Sequence, residues 1–273
     1  MSARTAGLRE WLAPAGPQQP AVVTDPAQRR ALVIEIVLVL ATTLGLAGLR
    51  GLLALLDALL APTSLPDQSV AINAPARHSA VLDLLYQLSG VIQLAAWGGL
   101  GVYLLWRSGI GLRSLGLDRS ARGRDAGLGV GLAALIGVPG LGLYLLAHAL
   151  GLDLTVLPSA LGDTWWRIPV LLASAVANAL AEELVVVGYL ITRLRQLGWG
   201  ANGAVAASAV LRGSYHLYQG FGGFIGNLVM GLVFGRVWQR TGRLWALVIG
   251  HTLIDTVAFV GYAVLRGRVG WLP

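Results

Sequence analysis

The chain alternates between long apolar stretches and short polar segments rich in arginine, from about Ala31 to Leu265. Most of the apolar stretches approach or exceed the ~20 residues that an α-helix needs to cross a bilayer. The predicted spans cover about residues 31–49, 80–107, 126–150, 166–193, 204–218, 221–238 and 244–265. The pattern therefore predicts an all-α fold, a polytopic transmembrane helical bundle with about seven spans plus interfacial helices.

Composition agrees with this pattern. Of the 273 residues, 56% are hydrophobic and only 12% are charged, about half the charged fraction of a typical soluble domain. The chain has no cysteine, which excludes disulfides, thiolate catalysis and a metal site with cysteine ligands. No internal repeat is visible, so we predict one transmembrane helical domain over residues 29–268.

The formal net charge is +7, and every basic residue is an arginine. In a membrane protein we interpret this charge as anchoring of the cytoplasmic side, and not as binding of nucleic acid. Residues 1–28 are polar and rich in proline, which predicts a disordered cytoplasmic tail without the pattern of a signal peptide. A cytoplasmic N-terminus places the arginine-rich segments on one face, and we expect a multi-pass protein of a bacterial plasma membrane.

Ionisable residues inside the predicted spans are costly and often mark a functional site. They are Glu182, Glu183, His216, His251 and Asp255. At ~1.5 Å per residue, these side chains lie about 12–18 Å from the ends of their spans. His251 and Asp255 are four residues apart and share one helix face. Each group alone could serve in helix packing, but their comparable depth on three spans predicts a shared site.

The segments AEELVVVGYL, VLRGSYHLYQG and HTLID together resemble the CPBP family, the CAAX-protease and bacteriocin-processing intramembrane proteases related to the Ras-converting CAAX endopeptidase. The family pattern is a pair of glutamates with an arginine four positions after the second one, then Phe-x-x-x-His, then His-x-x-x-Asn or His-x-x-x-Asp. The resemblance covers roughly residues 165–260, which we therefore predict to be the catalytic core.

Two positions depart from the family pattern. Val187 stands at the position of the family arginine, and Arg212 stands at the position of the family phenylalanine. This complementary exchange suggests that Arg212 pairs with Glu183 and keeps that carboxylate ionised and oriented. The same departures raise the alternative that activity is altered or lost.

By resemblance, the protein would be an endopeptidase that hydrolyses a membrane-associated peptide or protein. Glu182 with His216 would activate a water molecule, while His251 and Asp255 would hold the oxyanion of the tetrahedral intermediate. A catalytic zinc ion held by Glu182, His216 and His251 is an alternative, although the sequence does not require Zn²⁺ or any other cofactor.

Two other functions stay open at the level of the sequence. A catalytically inactive scaffold or immunity-type protein would keep the polar residues without using them, and a proton-coupled transporter would use them as a relay. The absence of a visible inverted repeat weighs against the transporter. The glycines near residue 220 follow no predicted strand, so we expect no nucleotide to bind there.

Overall fold

The structure is a computed structural model, and it describes residues 20–269. The helices are Pro26–Thr42 (α1), Leu44–Leu60 (α2), Ala80–Arg107 (α3), Arg122–Ala149 (α4), Arg167–Glu182 (α5), Thr192–Gln196 (α6), Ala201–Ser214 (α7), Phe221–Thr241 (α8) and Leu244–Leu265 (α9). A π-helix, Glu183–Ile191, joins α5 to α6, and short 3₁₀-helices lie at Leu65–Asp67 and Leu217–Gln219. Most of the predicted tail, residues 1–28, lies outside the described residues.

The structure confirms the predicted helical bundle. Within residues 20–269, five helices are long and apolar enough to cross a membrane. They are α3, α4, the continuous helix from α5 through α6, α8 and α9. Helices α1 and α2 pass the same test together, with a bend of 51° between them, and would form a sixth span.

The predicted count of seven spans is not confirmed. The fifth predicted span, residues 204–218, is the 14-residue helix α7, which ends at Ser214. At 1.5 Å per residue, such a helix is about 21 Å long, shorter than the ~30 Å hydrocarbon core of a bilayer. The residues that follow α7 form a turn, and His216 lies in this turn.

The helix from α5 through α6 lies at the centre of the bundle. In its most apolar window 67% of the residues are buried, compared with 11% in α4. Helices α3 and α9 pack against α5, while α7 packs against the π-helix. The candidate glutamates are therefore on the most enclosed of the five long helices.

Residues that lie outside α7 and α8 hold the turn between these two helices. Gly220 has a positive φ of 119°, a backbone conformation that glycine adopts without a steric penalty. Asp153 accepts a hydrogen bond of 2.7 Å from the backbone N–H of Gly222, and Leu154 donates its N–H to the carbonyl of Gln219 at 3.0 Å. These bonds fix the turn that carries His216.

A small parallel sheet is present that the sequence did not predict. Strand β1 (Ser69–Asn73) pairs with β2 (Thr155–Ser159), in a register that runs from Ser69 opposite Thr155 to Asn73 opposite Ser159. Strand β2 begins directly after the segment that holds the α7–α8 turn, and it packs against α9. The sheet therefore links the segment before α3 to the segment before α5.

Candidate active site

The two glutamates lie at a change of helix type. Glu182 is the last residue of α5, and Glu183 is the first residue of the π-helix. Nine-residue π-helices are rare, and π-helical geometry occurs frequently at functional sites. Glu183 is fully buried and Glu182 is 8% exposed. Both carboxylates therefore need partners inside the bundle.

Arg212, from α7, contacts both carboxylates. Its Nη2 donates to Oε1 of Glu183 at 2.6 Å, and its Nη1 donates to Oε2 of Glu182 at 3.2 Å. The guanidinium is itself fully buried and lies 5.9 Å from the centre of the Phe234 ring. The contact between Arg212 and Glu183 is the one expected from the exchange with Val187, while the contact with Glu182 was not expected.

Tyr215 is a further partner that sequence reasoning missed. Its hydroxyl donates to Oε2 of Glu182 at 2.7 Å, and its ring centre lies 4.9 Å from that of His216. No signal in the sequence set Tyr215 apart from the other tyrosines of the chain. Tyr215 and Arg212 together fix one oxygen of Glu182 and leave the other oxygen, Oε1, for a different partner.

That other oxygen faces His216. The distance between Oε1 of Glu182 and Nε2 of His216 is 4.0 Å, too long for a direct hydrogen bond. The second ring nitrogen, Nδ1, lies 3.3 Å from the amide nitrogen of Gln219. Within residues 20–269, the buried Nε2 has no hydrogen-bond partner. The structure thus brings His216 beside Glu182 but leaves a gap between them.

His251 and Asp255 approach from α9. Nδ1 of His251 lies 2.8 Å from Oε1 of Glu183, and Nε2 lies 3.6 Å from Oδ1 of Asp255. The side chain of Asn178 donates to Oδ2 of Asp255 at 3.4 Å. All five residues predicted for the site therefore lie in one cluster, to which Arg212, Tyr215 and Asn178 also belong.

The cluster is not saturated with hydrogen bonds. Buried polar atoms without a partner in the described part of the chain include Oε2 of Glu183, Nε of Arg212 and Nε2 of His216. Buried polar groups in native proteins are usually paired, and unpaired ones require an explanation such as a bound water or a catalytic role. The cluster has the donors and acceptors to hold a water molecule or a substrate amide.

The residues do not form a ready metal site. Among residues 20–269, no three histidine, aspartate or glutamate side chains are placed to hold a metal ion together. Glu183 is already bound by Arg212 and His251, and the Arg212 cation also contacts Glu182. A second cation beside Arg212 would be repelled by it. The geometry for a zinc ion on Glu182, His216 and His251 is therefore not present.

Comparison with protein families identifies this segment. Residues 164–257 match the family model described as type II CAAX prenyl endopeptidase Rce1-like. This part of the chain is similar to that family. The match confirms the resemblance to the CAAX proteases, and the matched segment contains all of the candidate residues. Comparison with curated proteins and comparison with solved structures gave no match.

Proposed function

We propose that this protein is an intramembrane endopeptidase, and that Glu182 and His216 activate the water that hydrolyses the peptide bond of a membrane-associated substrate. One observation carries the proposal. Tyr215 and Arg212 hold Oε2 of Glu182, while Oε1 faces the unpaired Nε2 of His216 across 4.0 Å. The peptidase family of residues 164–257 supports the same reaction class.

The gap between Glu182 and His216 suits one water molecule. Hydrogen bonds of about 2.8 Å from one water oxygen to two acceptors or donors can bridge a separation of this size. A general base must lie within hydrogen-bond reach of the proton that it removes. A water in this gap would contact both groups, so the geometry supports Glu182 as the base and His216 as the group that orients the water.

The reaction then follows in two steps. The water oxygen attacks the carbonyl carbon of the substrate, Glu182 accepts a proton from the water, and the carbonyl π electrons move onto oxygen to form the tetrahedral oxyanion. The oxyanion then collapses, the C–N bond breaks, and the leaving nitrogen takes the proton that Glu182 accepted. No step in this scheme uses a metal ion.

His251 is the candidate donor to the oxyanion. Glu183 holds its Nδ1 at 2.8 Å, and Asp255 lies 3.6 Å from its Nε2. The contact with Glu183 orients the imidazole ring, whereas Asp255 is too far from Nε2 for a hydrogen bond. The N–H of Nε2 is therefore the one that can donate to the oxyanion. A preorganised donor stabilises developing negative charge without a cost of reorganisation. Asn178, through its bond to Asp255, would help to fix the carboxylate.

A second candidate function also has an observation in its favour. Arg212 contacts Glu182 as well as Glu183, and a carboxylate bound by a guanidinium is a weaker base. An inactive membrane scaffold would keep such a cluster for stability alone. The location in a bacterial plasma membrane, with the N-terminus in the cytoplasm, belongs to either proposal.

The test is cleavage of membrane-associated peptides by the purified full chain. Quenched-fluorescence peptides, including prenylated ones, would be incubated with wild type, Glu182→Gln and His216→Ala. Loss of a general base typically lowers the rate by about 10²–10⁴-fold, so both variants should lose cleavage. Circular dichroism should show that both variants remain folded, since in Glu182→Gln the shorter contact of Arg212 with Glu183 is kept. Cleavage at the wild-type rate in both variants would overturn the proposal.

Glu35→Gln is the matched control. Glu35 accepts hydrogen bonds from Arg193 and Tyr189, so this variant changes a paired carboxylate that is not part of the site. It should keep the wild-type rate of cleavage. A chelator should leave the wild-type rate unchanged, and chelator-sensitive activity restored by Zn²⁺ would overturn the metal-free scheme. Absence of cleavage by folded wild type across all peptides would favour the scaffold.

A further inference from the structure

A strongly basic surface lies outside the candidate site, at the connection between α3 and α4. We define the basic loop as residues 107–124. Its arginines are Arg107, Arg113, Arg119, Arg122 and Arg124, and all of them are exposed. Because α3 and α4 are both long enough to cross a membrane, the loop that joins them lies at a membrane face.

The acidic residues near these arginines are engaged by a residue of a different segment. Arg243 donates to both oxygens of Asp125, through Nε at 2.8 Å and through Nη2 at 2.5 Å. Arg243 also donates to the carboxylate and to the backbone carbonyl of Asp118. The two acids thus neutralise an internal arginine and contribute little negative charge to the surface.

The exposed arginines are left largely uncompensated. Arg113 lies 3.8 Å from Asp118 but its side chain is 89% exposed, and such exposed pairs contribute little. In the described part of the chain, Arg107, Arg119, Arg122 and Arg124 form no ion pair. Four like charges on one short connection repel one another. A polyanionic partner would remove that repulsion.

The backbone of the basic loop is fixed by contacts with the core and with the start of α9. Leu115 is 1% exposed and packs in the main core, and its carbonyl accepts the N–H of Leu244 at 3.2 Å. Gly116 has a positive φ of 69°, and a Cβ at this position would lie 2.0 Å from the carbonyl oxygen of Gly242. The arginines are therefore displayed on a fixed backbone, which lowers the entropic cost of binding.

Two exposed apolar side chains show which environment the loop faces. Trp106 is 62% exposed and Leu112 is 47% exposed, and they lie beside the arginines. Tryptophan is enriched at the headgroup level of membranes. Arginine forms bidentate hydrogen bonds with phosphate groups. A surface that combines both residue types fits the boundary between acyl chains and phosphate groups.

We propose that the basic loop binds the headgroups of anionic phospholipids in the leaflet that it faces. The arginines contact the lipid phosphates, and Trp106 and Leu112 contact the upper part of the acyl chains. The proposal does not depend on peptidase activity, since it rests on a surface of a different part of the chain.

The experiment measures thermal unfolding of the full chain in lipid nanodiscs. Discs of phosphatidylcholine alone are compared with discs that also contain phosphatidylglycerol. The wild-type midpoint should rise by roughly 5 °C in the anionic discs, and this rise should shrink at high salt because the interaction is electrostatic. The triple variant Arg119→Gln, Arg122→Gln, Arg124→Gln should lose most of the rise.

A triple control variant removes the same number of arginines elsewhere. Arg266 and Arg268 follow the C-terminal end of α9, whereas the basic loop packs at its N-terminal end. Arg50 is exposed on α2. The variant Arg50→Gln, Arg266→Gln, Arg268→Gln should keep the wild-type rise. A loss of equal size in this control would show a general effect of net charge and would overturn the proposal.

Two further measurements test whether charge drives the interaction and whether the anion is a lipid. Lysine at positions 119, 122 and 124 keeps the charges, so the corresponding triple variant should keep at least half of the rise, even if the glutamine variant folds poorly. Loss of the whole rise in the lysine variant would overturn the electrostatic basis. Inorganic phosphate should not raise the midpoint in detergent, and an equal rise with phosphate would assign the surface to a soluble anion instead of lipid.

Discussion

Two arginines of this protein each lie between two carboxylates, and the two clusters differ in how completely they are paired. Arg212 contacts Glu182 and Glu183 at the centre of the bundle. Arg243 contacts Asp118 and Asp125 at the base of the basic loop. The Arg243 cluster is completed by Ser120 and by a backbone carbonyl, and none of its atoms is a buried group without a partner.

The Arg212 cluster is incomplete by comparison. It leaves atoms of Glu183, Arg212 and His216 without a hydrogen-bond partner among the described residues. It also includes two histidines, a residue type that can donate and accept protons. A saturated cluster can hold a loop but has no free position for a reactant. An unsaturated cluster is less stabilising for the fold, but it can bind water or substrate. This difference is what separates a structural ion pair from a candidate active site in this chain.

The largest expected effect comes from breaking the central cluster. Arg212→Gln removes the cation from two buried carboxylates, and loss of one partner of a buried ion pair typically costs about 3–5 kcal/mol. The measurement is the free energy of unfolding in mixed detergent micelles. Arg212→Lys keeps the charge but lacks the two-armed geometry, so it should recover only part of the loss. A wild-type unfolding free energy for Arg212→Gln would contradict the pairing.

A smaller effect is expected at the second cluster. Arg243→Gln leaves the buried carboxylate of Asp125 without its main partner, which costs about 1–3 kcal/mol. Water can reach this cluster at the membrane face, so the cost is below that at Arg212. Peptide cleavage, if the proposed activity is present, should stay within about twofold of wild type. If Arg243→Gln lowered the rate of cleavage as much as Glu182→Gln, the Arg243 cluster would not be purely structural, and the comparison would be wrong.

The pH dependence gives an independent check on the same variant. The side-chain hydrogen bond from Arg243 lowers the pKa of Asp118 below its ordinary value of 3.8. A lowered pKa stabilises the folded state above the ordinary value, and this stability is lost as the pH falls through the lowered value. The difference in unfolding midpoint between wild type and Arg243→Gln should therefore narrow below about pH 4, and a constant difference would contradict this.

The smallest expected effect is a partial rescue that tests the exchanged arginine. Arg212→Phe places the family residue at 212 and should destabilise the protein, since both glutamates lose their cation. Adding Val187→Arg restores an arginine one turn after Glu183, at the family position. The double variant should recover about 1 kcal/mol relative to Arg212→Phe, because residues in one ion-pair network couple on this scale. A double variant that is less stable than either single variant would contradict the hypothesis that Arg212 replaces the family arginine at position 187.

Sequence reasoning selected five residues that the structure places in one cluster, and it missed some of their partners. Glu182, Glu183, His216, His251 and Asp255 stood out because ionisable groups inside apolar spans are costly. Tyr215 did not stand out, since tyrosine is common at membrane interfaces. The pairing of Arg212 with Glu183 was suggested by the exchange with Val187, but nothing in the sequence indicated the second contact with Glu182.

In the fold, too, features set by local sequence were predicted, and features set by long-range contacts were missed. The long apolar runs predicted the helices well, because hydrophobicity over about 20 residues is a local property. The end of α7 at Ser214 and the sheet of β1 with β2 were missed. Both depend on hydrogen bonds between segments far apart in sequence, such as those of Asp153 with Gly222 and of Gln68 with Thr155.

The sequence alone thus determined that this is a helical membrane protein, with a set of acids and histidines placed at similar depth. Composition and periodicity fix those properties, since each depends on neighbours along the chain. Only the tertiary structure decided which oxygen of Glu182 is bound and which one faces His216. It also decided that Arg212 is buried against two carboxylates while Arg119 is exposed. These outcomes depend on distances between side chains of different helices, which packing sets and a linear pattern does not encode.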